Sequence, residues 1–545
     1  MMETYGNQHI QEIPLSSPFF HGKVERFLRA NGLRMEALDS YYTLENADGD
    51  ILAGAGLRKD VIQCVAVAPE ARSEGLTAPL ISHIIAAAAG RGVTCLKVFT
   101  KVENTGIFES LGFHVLAQAP QAVLMENGRG LEQYCAYLKS VRRSGKSGVV
   151  VMNANPFTLG HRYLLDRALE QVDTLYIIPV KEDVSRFPYA DRKAMIEAGA
   201  PEGVLVVEGS DYQISHATFP TYFLKDLSDA APNQMRLDLD MFARHIAPAL
   251  GVSVRFVGSE PTDALTARYN ELMKEVLPID VVEIPRLCCP ERSEESISAS
   301  AVRAYLDAGD YVSASALVPE SSRPYLKADL ANRALLKELD TPGKPGLVGP
   351  DSNGAHSDMD YALMRKAISA LYPFWAPMAD AGSVAELREL GLKAEKAMLS
   401  ATGGVNTHKG AIYALGLALY DPDHIAETAK AMPREGVKER PGIKGARDVA
   451  EEGYQALFQD WLPYYRSIRD CRKTLLLIMS ALDDTCVIRR VGYDRARQVK
   501  EEAKAALEDV GQLPSLCEKY AAEGISPGGS ADMLALTIFI DSIKD

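Results

Sequence analysis

The sequence predicts a multidomain protein in which two α/β parts are followed by an all-helical part. At 545 residues the chain is long enough for about three or four domains. Up to about residue 325, short apolar runs typical of strands alternate with amphipathic stretches typical of helices. Beyond Pro324, strand-like runs become rare and helical stripes rich in Ala, Leu, Glu and Lys dominate. The expected domains cover residues 1–142, 146–325 and 330–545.

Composition narrows the class of protein. The net charge of -14 argues against a nucleic-acid-binding scaffold, so we expect no nucleic-acid partner. The eight cysteines show no CxxC or His-paired spacing, which favours reduced thiols in a cytoplasmic protein over disulfides or zinc. The first residues lack the basic and apolar regions of a signal peptide. No apolar run reaches the ~20 residues that a membrane helix needs, so we expect no membrane partner.

The first α/β element of the middle part is the most informative stretch of the chain. An apolar run at 149–151 predicts a buried strand, a polar loop follows at 153–158, and Gly160 and His161 open an amphipathic helix. Free backbone N–H groups and the helix dipole make such a strand–loop–helix junction an anion site. His161 can donate a hydrogen bond to charge that grows on a phosphate in the transition state. The expected ATP-binding residues of this junction are Asn155, Thr158, Gly160 and His161.

A second motif lies about 140 residues further on, at 297–303. Ser298 or Ser300 can cap a helix and bind phosphate through its hydroxyl group, and Arg303 can neutralise a triphosphate one turn later. In this order, the two motifs resemble the TxGH and ISxSxxR signatures of the nucleotidyltransferase superfamily. The resemblance implies a Rossmann-like α/β domain that binds ATP, with His161, Ser300 and Arg303 as catalytic residues.

Two further cations are weaker candidates for ATP contacts. Lys181 follows an apolar run at 175–180, and α/β sheets bind ligands at the carboxyl ends of their strands. Arg192 is an alternative phosphate contact, although it is equally compatible with a surface ion pair. Asp263 can contact a ribose or cap the helix that follows it.

The N-terminal part carries a strand followed by a turn and a helix start at 65–77. Arg72 and Gly75 match motif A of the GNAT acyltransferases, which this stretch resembles, whereas Thr77 departs from the small residue of that motif. The stretch 103–113 resembles the end of the GNAT fold. The resemblance implies a GNAT-like α/β domain whose backbone amides hold the pyrophosphate of a CoA-type arm. The alternative is a GNAT-like domain that binds no ligand and only packs against the rest of the protein. The expected arm-binding residues are Arg72, Gly75, Thr77 and Asn104.

Together, residues 1–325 resemble one family, citrate lyase ligase. The resemblance also rests on the stretches 187–192, 215–224 and 257–263. It implies that acetate and ATP give acetyl-AMP and pyrophosphate, and that the acetyl group passes to the prosthetic-group thiol of the citrate lyase acyl carrier protein. A carboxylate that attacks the α-phosphate meets charge repulsion, which His161, Arg303 and Mg²⁺ would offset.

The helical part contains three glycine-rich motifs, at 342–360, 401–410 and 526–532. Glycine lets the backbone approach a phosphate closely. Clustered glycines cost up to ~1 kcal/mol each inside a helical region, which favours a ligand over packing, although any one motif is compatible with a capped turn. The candidate ATP-binding residues are Lys344, His408 and Lys409. The candidate Mg²⁺ ligands are Asp358, Asp360 and Asp532.

These motifs resemble triphosphoribosyl-dephospho-CoA synthase over residues 330–545. The resemblance implies that the ribose 2′-hydroxyl of 3′-dephospho-CoA attacks C1′ of the ATP ribose and that adenine leaves. A carboxylate should stabilise the oxocarbenium-like centre, so Asp358 or Asp360 is either catalytic or a metal ligand. The segment 483–490 also matches the family, but Cys486 stands where the resemblance implies Asn.

The sequence therefore predicts a bifunctional enzyme of citrate lyase maturation. One alternative is a cofactor adenylyltransferase, because the same TxGH and ISxS motifs would serve it. Another is a non-catalytic, ATP-binding assembly factor for the lyase.

Overall fold

The computed structural model describes residues 4–5, 8–182, 184–215, 218–224, 227–260, 263–289, 292–433 and 446–544. Two stretches of the sequence analysis, 215–224 and 257–263, include residues 216–217 and 261–262, which lie outside the described residues. The chain divides into two units. The α/β unit comprises residues 1–155 and 160–296, and the helical unit comprises residues 156–159 and 297–545.

The first sheet of the α/β unit is mixed and has eight strands within the described residues. Its strands are β1 (Thr4–Tyr5), β2 (Gln8–Ile13), β3 (Ser40–Glu45), β4 (Ile51–Arg58), β5 (Val61–Val67), β6 (Lys97–Thr100), β7 (His114–Gln118) and β8 (Val123–Glu126). They lie in the order β1-β2-β3-β4-β5-β6-β8-β7. The helices of this region are α1 (Pro18–Ala30), α2 (Thr77–Gly90), α3 (Thr105–Glu109) and α4 (Gly130–Ser140).

The pair β5–β6 is parallel and differs from its antiparallel neighbours. The two strands pair only at Val61–Lys97 and Ile62–Val98, near their amino ends, while β5 continues to Val67. Their carboxyl ends are therefore not paired with each other. The loops that follow these ends begin at the same edge of the sheet.

The second sheet of the α/β unit is parallel, with the order β11-β10-β9-β12-β13. Its strands are β9 (Ser147–Met152), β10 (Thr174–Pro179), β11 (Val204–Val206), β12 (Val254–Gly258) and β13 (Asp280–Ile284). The helices are α5 (Leu159–Leu169), α6 (Tyr189–Gly199), α7 (Ala230–Met241), α8 (Ala247–Leu250) and α9 (Ala264–Val276), and a hairpin joins β14 (Cys288–Cys289) to β15 (Arg292–Ser296). Because β10 and β12 flank β9 on opposite sides, the strand order reverses at β9, where open parallel sheets bind ligands.

The first sheet shares an apolar core with helix α7 and with the chain segment before it. One buried cluster includes Ile13 and Phe99 from the first sheet together with Phe219 and Leu237 from the chain around the second. Buried polar contacts also cross between them, since the Tyr212 hydroxyl donates to Glu126 at 2.7 Å. Residues 1–142 and most of residues 146–296, predicted as parts of separate domains, are thus packed together in the α/β unit.

The helical unit contains no strand in its described residues, which agrees with the all-helical expectation. Its helices are α10 (Ala299–Ala308), α11 (Tyr311–Ala316), α12 (Arg323–Leu339), α13 (Tyr361–Ala379), α14 (Val384–Ala401), α15 (Lys409–Tyr420), α16 (Ile425–Ala431), α17 (Ala446–Glu451), α18 (Leu462–Ile468), α19 (Cys471–Ala481), α20 (Thr485–Val491), α21 (Tyr493–Glu508), α22 (Leu513–Glu523) and α23 (Gly528–Ile543). Residues 297–325, expected in the second domain, belong to this unit.

Helix α23 forms the centre of the helical unit. Every residue from Met533 to Ile540 is buried, because α12, α15 and α19 pack around it. A helix that is apolar on all sides is typical of a core position. Within the described residues, no helix has the length and apolar character needed to cross a bilayer.

Candidate functional site

The loop after β9 lies at the strand-order reversal and is tied to the loop after β10. The Asn155 side chain accepts the backbone N–H of Phe187 at 3.1 Å. The Asn153 side chain donates to the Glu182 carboxylate at 2.7 Å and to the Ser185 hydroxyl at 3.1 Å. Asn155, which was predicted to bind ATP, therefore helps to hold the two loops together.

Arg192 is the centre of these loop contacts. Its side chain is 0 % exposed, which excludes the alternative of a surface ion pair, while its role as an ATP contact stays a prediction. The guanidinium group donates to the carbonyl oxygens of Asn153 at 2.8 Å, Val180 at 2.9 Å and Glu182 at 2.9 Å. Its Nε donates to the Phe187 carbonyl at 3.0 Å. Arg192 thus satisfies buried carbonyl groups that would otherwise lack a donor.

His161 follows this loop in the first turns of α5. Burial and the nearby Arg286 cation lower the pKa of His161 to about 4, so the imidazole is neutral at pH 7. A neutral imidazole can donate a hydrogen bond from one nitrogen but carries no charge. His161 is therefore suited to polarise a phosphate oxygen and not to neutralise a triphosphate.

Arg286 is a cation of this region that the sequence analysis missed. It follows β13, and its Nε donates to the Ser259 carbonyl at 2.7 Å while its guanidinium pairs with Glu260. Ser259 and Glu260 follow β12, so all three lie at the carboxyl edge of the sheet. The position of Arg286 directly after a strand was the sequence signal that could have identified it, because ligands bind at the carboxyl edge of such a sheet.

The remaining ATP candidates of the α/β region differ in exposure. Thr158 is buried, whereas Lys181 is half-exposed and lies 3.7 Å from the Asp211 carboxylate. Asp263 caps α9, since its carboxylate accepts the Leu265 N–H at 2.9 Å. Of the two roles predicted for Asp263, a ribose contact and a helix cap, the structure shows the helix cap.

The ISxSxxR motif forms the start of α10 in the helical unit. Ser298 is the N-cap, and its hydroxyl accepts the Ala301 N–H at 3.1 Å, as predicted. Ser300 is exposed in the first turn, and Arg303 lies one turn later. Thr158 belongs to this same unit, while Gly160 and His161 belong to the α/β unit.

The predicted arm-binding residues follow the unpaired carboxyl ends of β5 and β6. Arg72 and Gly75 are exposed, and Gly75 has a φ of 69°, a conformation that glycine adopts without strain. Thr77 begins α2, whose N-terminus has no capping side chain. Asn104 begins α3 and donates to the Thr100 hydroxyl at 3.4 Å. The topology thus brings both loops to one edge of the first sheet.

The helical unit has a cavity of about 130 Å³ that gathers the C-terminal motifs. All three glycine-rich motifs and the segment 486–490 contribute to its lining. The predicted residues that line it are His408, Lys409 and Asp532. The sequence analysis missed Glu338, and it located His356, Arg489 and Arg490 within matching segments without giving them a role.

Asp532 and Glu338 supply the carboxyl groups of this cavity. Burial, together with the neighbouring Asp484 and Glu338, raises the pKa of Asp532 well above its usual range. A Cβ atom at Gly410 would clash with the Asp532 carboxylate, so the glycine permits this close approach. Glu338 pairs with Lys344 at 2.6 Å. Lys344, predicted to bind ATP, is 4 % exposed and is the counterion of Glu338 instead.

His408 and Lys409 follow the second motif and differ in environment. His408 is 4 % exposed, and burial beside Lys344 lowers its pKa to about 4, so the ring is neutral at pH 7. Its Nδ1 lies 2.9 Å from the Thr407 hydroxyl. Lys409 is exposed and pairs with Glu395 at 2.6 Å.

Asp358 and Asp360 are not among the residues that line the cavity, although Asp358 lies 3.5 Å from the lining residue His356, and their catalytic role stays a prediction. Both are exposed, and Asp360 caps α13 by accepting the Leu363 N–H at 2.7 Å. Within the described residues, no group of three or more His, Cys, Asp or Glu side chains is arranged to hold a metal ion. Asp358, Asp360 and Asp532 are therefore not gathered into such a group, and their binding of Mg²⁺ stays a prediction.

Several motif glycines have a structural role within the chain. Gly403 and Gly404 have φ values of 68° and 94° and end α14, so this part of the motif is a capped turn. A Cβ at Gly346 would clash with the Ile525 carbonyl, which shows that the first and third motifs pack against each other. For these glycines, the packing interpretation was correct.

Asp484 joins the third motif to α20. Its carboxylate accepts the Cys486 N–H at 2.9 Å as the cap of that helix, and the Ser530 N–H at 2.8 Å. Burial beside Asp484 and Asp532 raises the pKa of Cys486 to about 12, so its thiol stays protonated. Cys486 therefore lines the cavity as a neutral group.

The parallel sheet with a neutral histidine in the helix after β9, and the cavity of the helical unit with its carboxyl groups, are features typical of enzymes. Residues 147–326 match the family described as citrate lyase ligase C-terminal domain, and residues 325–435 and 418–545 match ATP:dephospho-CoA triphosphoribosyl transferase. The chain belongs to both families, as a ligase part followed by a transferase part.

Individual relatives agree with this division. The chain is 39% identical over 336 residues to a citrate [pro-3S]-lyase ligase of Escherichia coli, covering 59% of this chain and 95% of the relative. It is 36% identical over 278 residues to a probable 2-(5''-triphosphoribosyl)-3'-dephosphocoenzyme-A synthase of Azotobacter vinelandii, covering 42% of this chain and 95% of the relative.

Among solved structures, Escherichia coli ElaA matches 24% of this chain and 100% of its own, at 15% identity. The TM-score of 0.20 is too low to support an assignment.

Proposed function

We propose that the chain catalyses two steps in the maturation of citrate lyase. The ligase part uses acetate and ATP to form acetyl-AMP and pyrophosphate, and passes the acetyl group to the prosthetic-group thiol of the citrate lyase acyl carrier protein. The transferase part joins ATP and 3′-dephospho-CoA into the precursor of that prosthetic group and releases adenine. The names of the relatives support the substrates ATP, dephospho-CoA and citrate lyase.

In the ligase part, the acetate oxygen attacks the α-phosphorus of ATP while the bond to the leaving pyrophosphate breaks. Neutral His161 donates a hydrogen bond to an α-phosphate oxygen as charge grows there. Thr158, Ser298, Ser300 and Arg303 are the motif residues proposed to bind the phosphates. Arg286 adds a cation at the carboxyl edge of the sheet. Positioning and electrostatics would supply most of the catalysis.

Mg²⁺ is proposed as a companion of ATP at both sites. Since no three-ligand protein cluster exists among the described residues, the ion would be held mainly by the phosphates and water, as is usual for Mg²⁺. When bound, it would neutralise phosphate charge.

The GNAT-like region is proposed to receive the thiol-bearing arm. The uncapped N-terminus of α2 and the exposed, left-handed Gly75 leave backbone amides accessible to a pyrophosphate. Arg72 lies just before Gly75 in the sequence, and Asn104 follows β6 in the neighbouring loop. The arm is itself a dephospho-CoA derivative, so the ligase and transferase parts would handle the same skeleton.

In the transferase part, O2′ of dephospho-CoA bonds to C1′ of ATP and the C1′–N9 bond breaks, with its electron pair leaving on adenine. Burial raises the pKa of Asp532, which favours its protonated form, and the protonated carboxyl group is proposed to give its proton to adenine. The proton that the attacking 2′-hydroxyl loses then reprotonates the Asp532 carboxylate. Glu338, paired with Lys344, is proposed to lie near the oxocarbenium-like centre.

The observation that supports the transferase proposal most strongly is the single cavity formed by all three glycine-rich motifs. We would incubate the purified chain with ATP, Mg²⁺ and 3′-dephospho-CoA and analyse the products by mass spectrometry. The expected products are free adenine and a triphosphoribosylated dephospho-CoA. A folded, ATP-binding protein that forms neither would refute the transferase proposal.

A further inference from the structure

The transferase cavity has a different electrostatic character at its base and at its mouth. Glu338 and His408 are buried in its lining, and Asp532 is partly buried beside them. Lys409, Arg489 and Arg490 line the same cavity and are exposed. The carboxyl groups thus lie inside, and the permanent cations lie at the solvent side.

Arg489 is the cation at the mouth whose side chain is not engaged by the protein. Lys409 pairs with Glu395 at 2.6 Å. Arg490 donates to the Ala355 carbonyl at 3.3 Å and lies 3.2 Å from His356 Nδ1. In the part of the chain that the structure describes, the Arg489 guanidinium has no hydrogen bond or ion pair. It is therefore available to a ligand.

The rest of the lining gives the nucleotide one favourable orientation. Leu347, Met359 and Met364 form an apolar wall against which a base can pack. The Glu338 carboxylate is already paired with Lys344, so the Arg489 guanidinium is the group that attracts a polyphosphate, because a guanidinium binds phosphate oxygens in pairs. Ribose C1′ would then lie toward Glu338 and Asp532, with the phosphates at the mouth.

We infer that Arg489 binds the polyphosphate chain of the nucleotide donor and makes the transferase selective for a triphosphate. This inference rests on the proposed transferase activity and adds to it the residue that selects ATP over ADP and AMP. Arg490, which is adjacent in sequence, instead holds the loop around His356 in place.

The test compares ATP, ADP and AMP as donors, with adenine release as the readout. In the wild-type protein, kcat/KM should be highest for ATP and lowest for AMP. The variant Arg489→Gln should lower kcat/KM for ATP by about 10- to 100-fold, the range expected for hydrogen bonds between charged groups, and leave AMP nearly unchanged. The matched control is Arg497→Gln, because Arg497 is exposed on α21 and lies outside this cavity.

A second measurement uses inorganic tripolyphosphate as an inhibitor that competes with ATP. It should inhibit the wild type and the Arg497→Gln control, and lose most of its potency against Arg489→Gln. An unchanged ATP-to-AMP ratio, or equal losses for all three donors, would overturn the inference. A wild-type protein that releases no adenine from any donor would instead refute the proposed transferase activity, and the inference with it.

Discussion

At Gly410, the absence of a side chain determines where the Asp532 carboxyl group can lie. A Cβ atom there would clash with Asp532, so Gly410→Ala should displace this group. We expect transferase activity to fall by at least tenfold and the free energy of unfolding to fall by about 1–3 kcal/mol, because the site is overpacked. Adenine release and denaturant unfolding measure the two effects.

Gly391→Ala is the matched control for this substitution. Gly391 lies inside α14, and no atom stands within 4 Å of where its Cβ would be. The substitution should keep activity and should not destabilise the protein, since alanine favours helix by up to ~1 kcal/mol. Full transferase activity in Gly410→Ala would contradict the role given to Asp532.

The two buried histidines predict a loss of stability in acid. Burial lowers the pKa of His161 and His408 to about 4, below the unfolded value of about 6.5. Above about pH 6.5, both histidines are neutral in the folded and in the unfolded chain. As the pH falls toward 4, the unfolded chain binds protons at these histidines before the folded chain does, so the free energy of unfolding decreases.

His408→Asn should therefore weaken the pH dependence of the unfolding free energy between about pH 6.5 and 4. Chemical denaturation of the wild type and variant across this range measures the difference, and carboxylates common to both largely cancel. His424→Asn, at an exposed position, controls for the loss of an imidazole. Parallel curves for wild type and His408→Asn would argue against the lowered pKa.

At this scale, the sequence predicted residue types better than residue roles. The motifs located His408 and Asp532, which line the cavity. They did not reveal that Lys344 folds back onto Glu338, six residues earlier, or that Asp360 is a helix cap. Those roles depend on the direction of a side chain and on its burial, which a motif does not specify.

At the scale of elements, Arg192 of α6 connects the loops that follow β9 and β10. Arg192→Ala would leave the carbonyl groups of Asn153, Val180 and Glu182 without this donor. We expect the free energy of unfolding to fall by about 3 kcal/mol and acetate-dependent pyrophosphate release to fall strongly. Adenine release should persist under conditions in which the variant is folded.

Arg167→Ala provides the comparison. Arg167 lies on α5, is half-exposed and pairs with Glu170 at 2.7 Å, an arrangement that contributes little to stability. If Arg192→Ala behaved like Arg167→Ala in both assays, the organising role of Arg192 would be wrong.

Elements with strong local signals were predictable. The apolar run of β9 and the amphipathic pattern of α5 specify the strand–loop–helix junction. The packing partners of α10 and α11 were not predictable, because their amphipathic faces fit either unit. The glycines at 403–404 were misinterpreted as a ligand signal, since a left-handed helix end and a phosphate loop favour the same residue.

At the scale of the whole molecule, the change in composition near residue 325 predicted the helical part correctly. The expected boundary between residues 1–142 and 146–325 does not separate two independently packed regions. Their apolar faces meet in one core that includes Ile13 and Phe219. Local composition shows where a chain is polar, but whether two regions share a core depends on long-range contacts.

If one chain carries two active sites with different chemistry, a single substitution should abolish one activity and spare the other. We would assay wild type, His161→Ala and Asp532→Asn for both activities by mass spectrometry. One reaction contains acetate, ATP and Mg²⁺ and is followed by pyrophosphate release; the other contains ATP, Mg²⁺ and 3′-dephospho-CoA and is followed by adenine release.

The His161→Ala variant should lose acetate-dependent pyrophosphate release and keep adenine release. Asp532→Asn should show the reverse pattern, because its substitution lies in the transferase cavity. Loss of both activities in either folded variant, or a dinucleotide product from the wild type in place of acetate-dependent pyrophosphate release, would contradict two separate sites with these reactions.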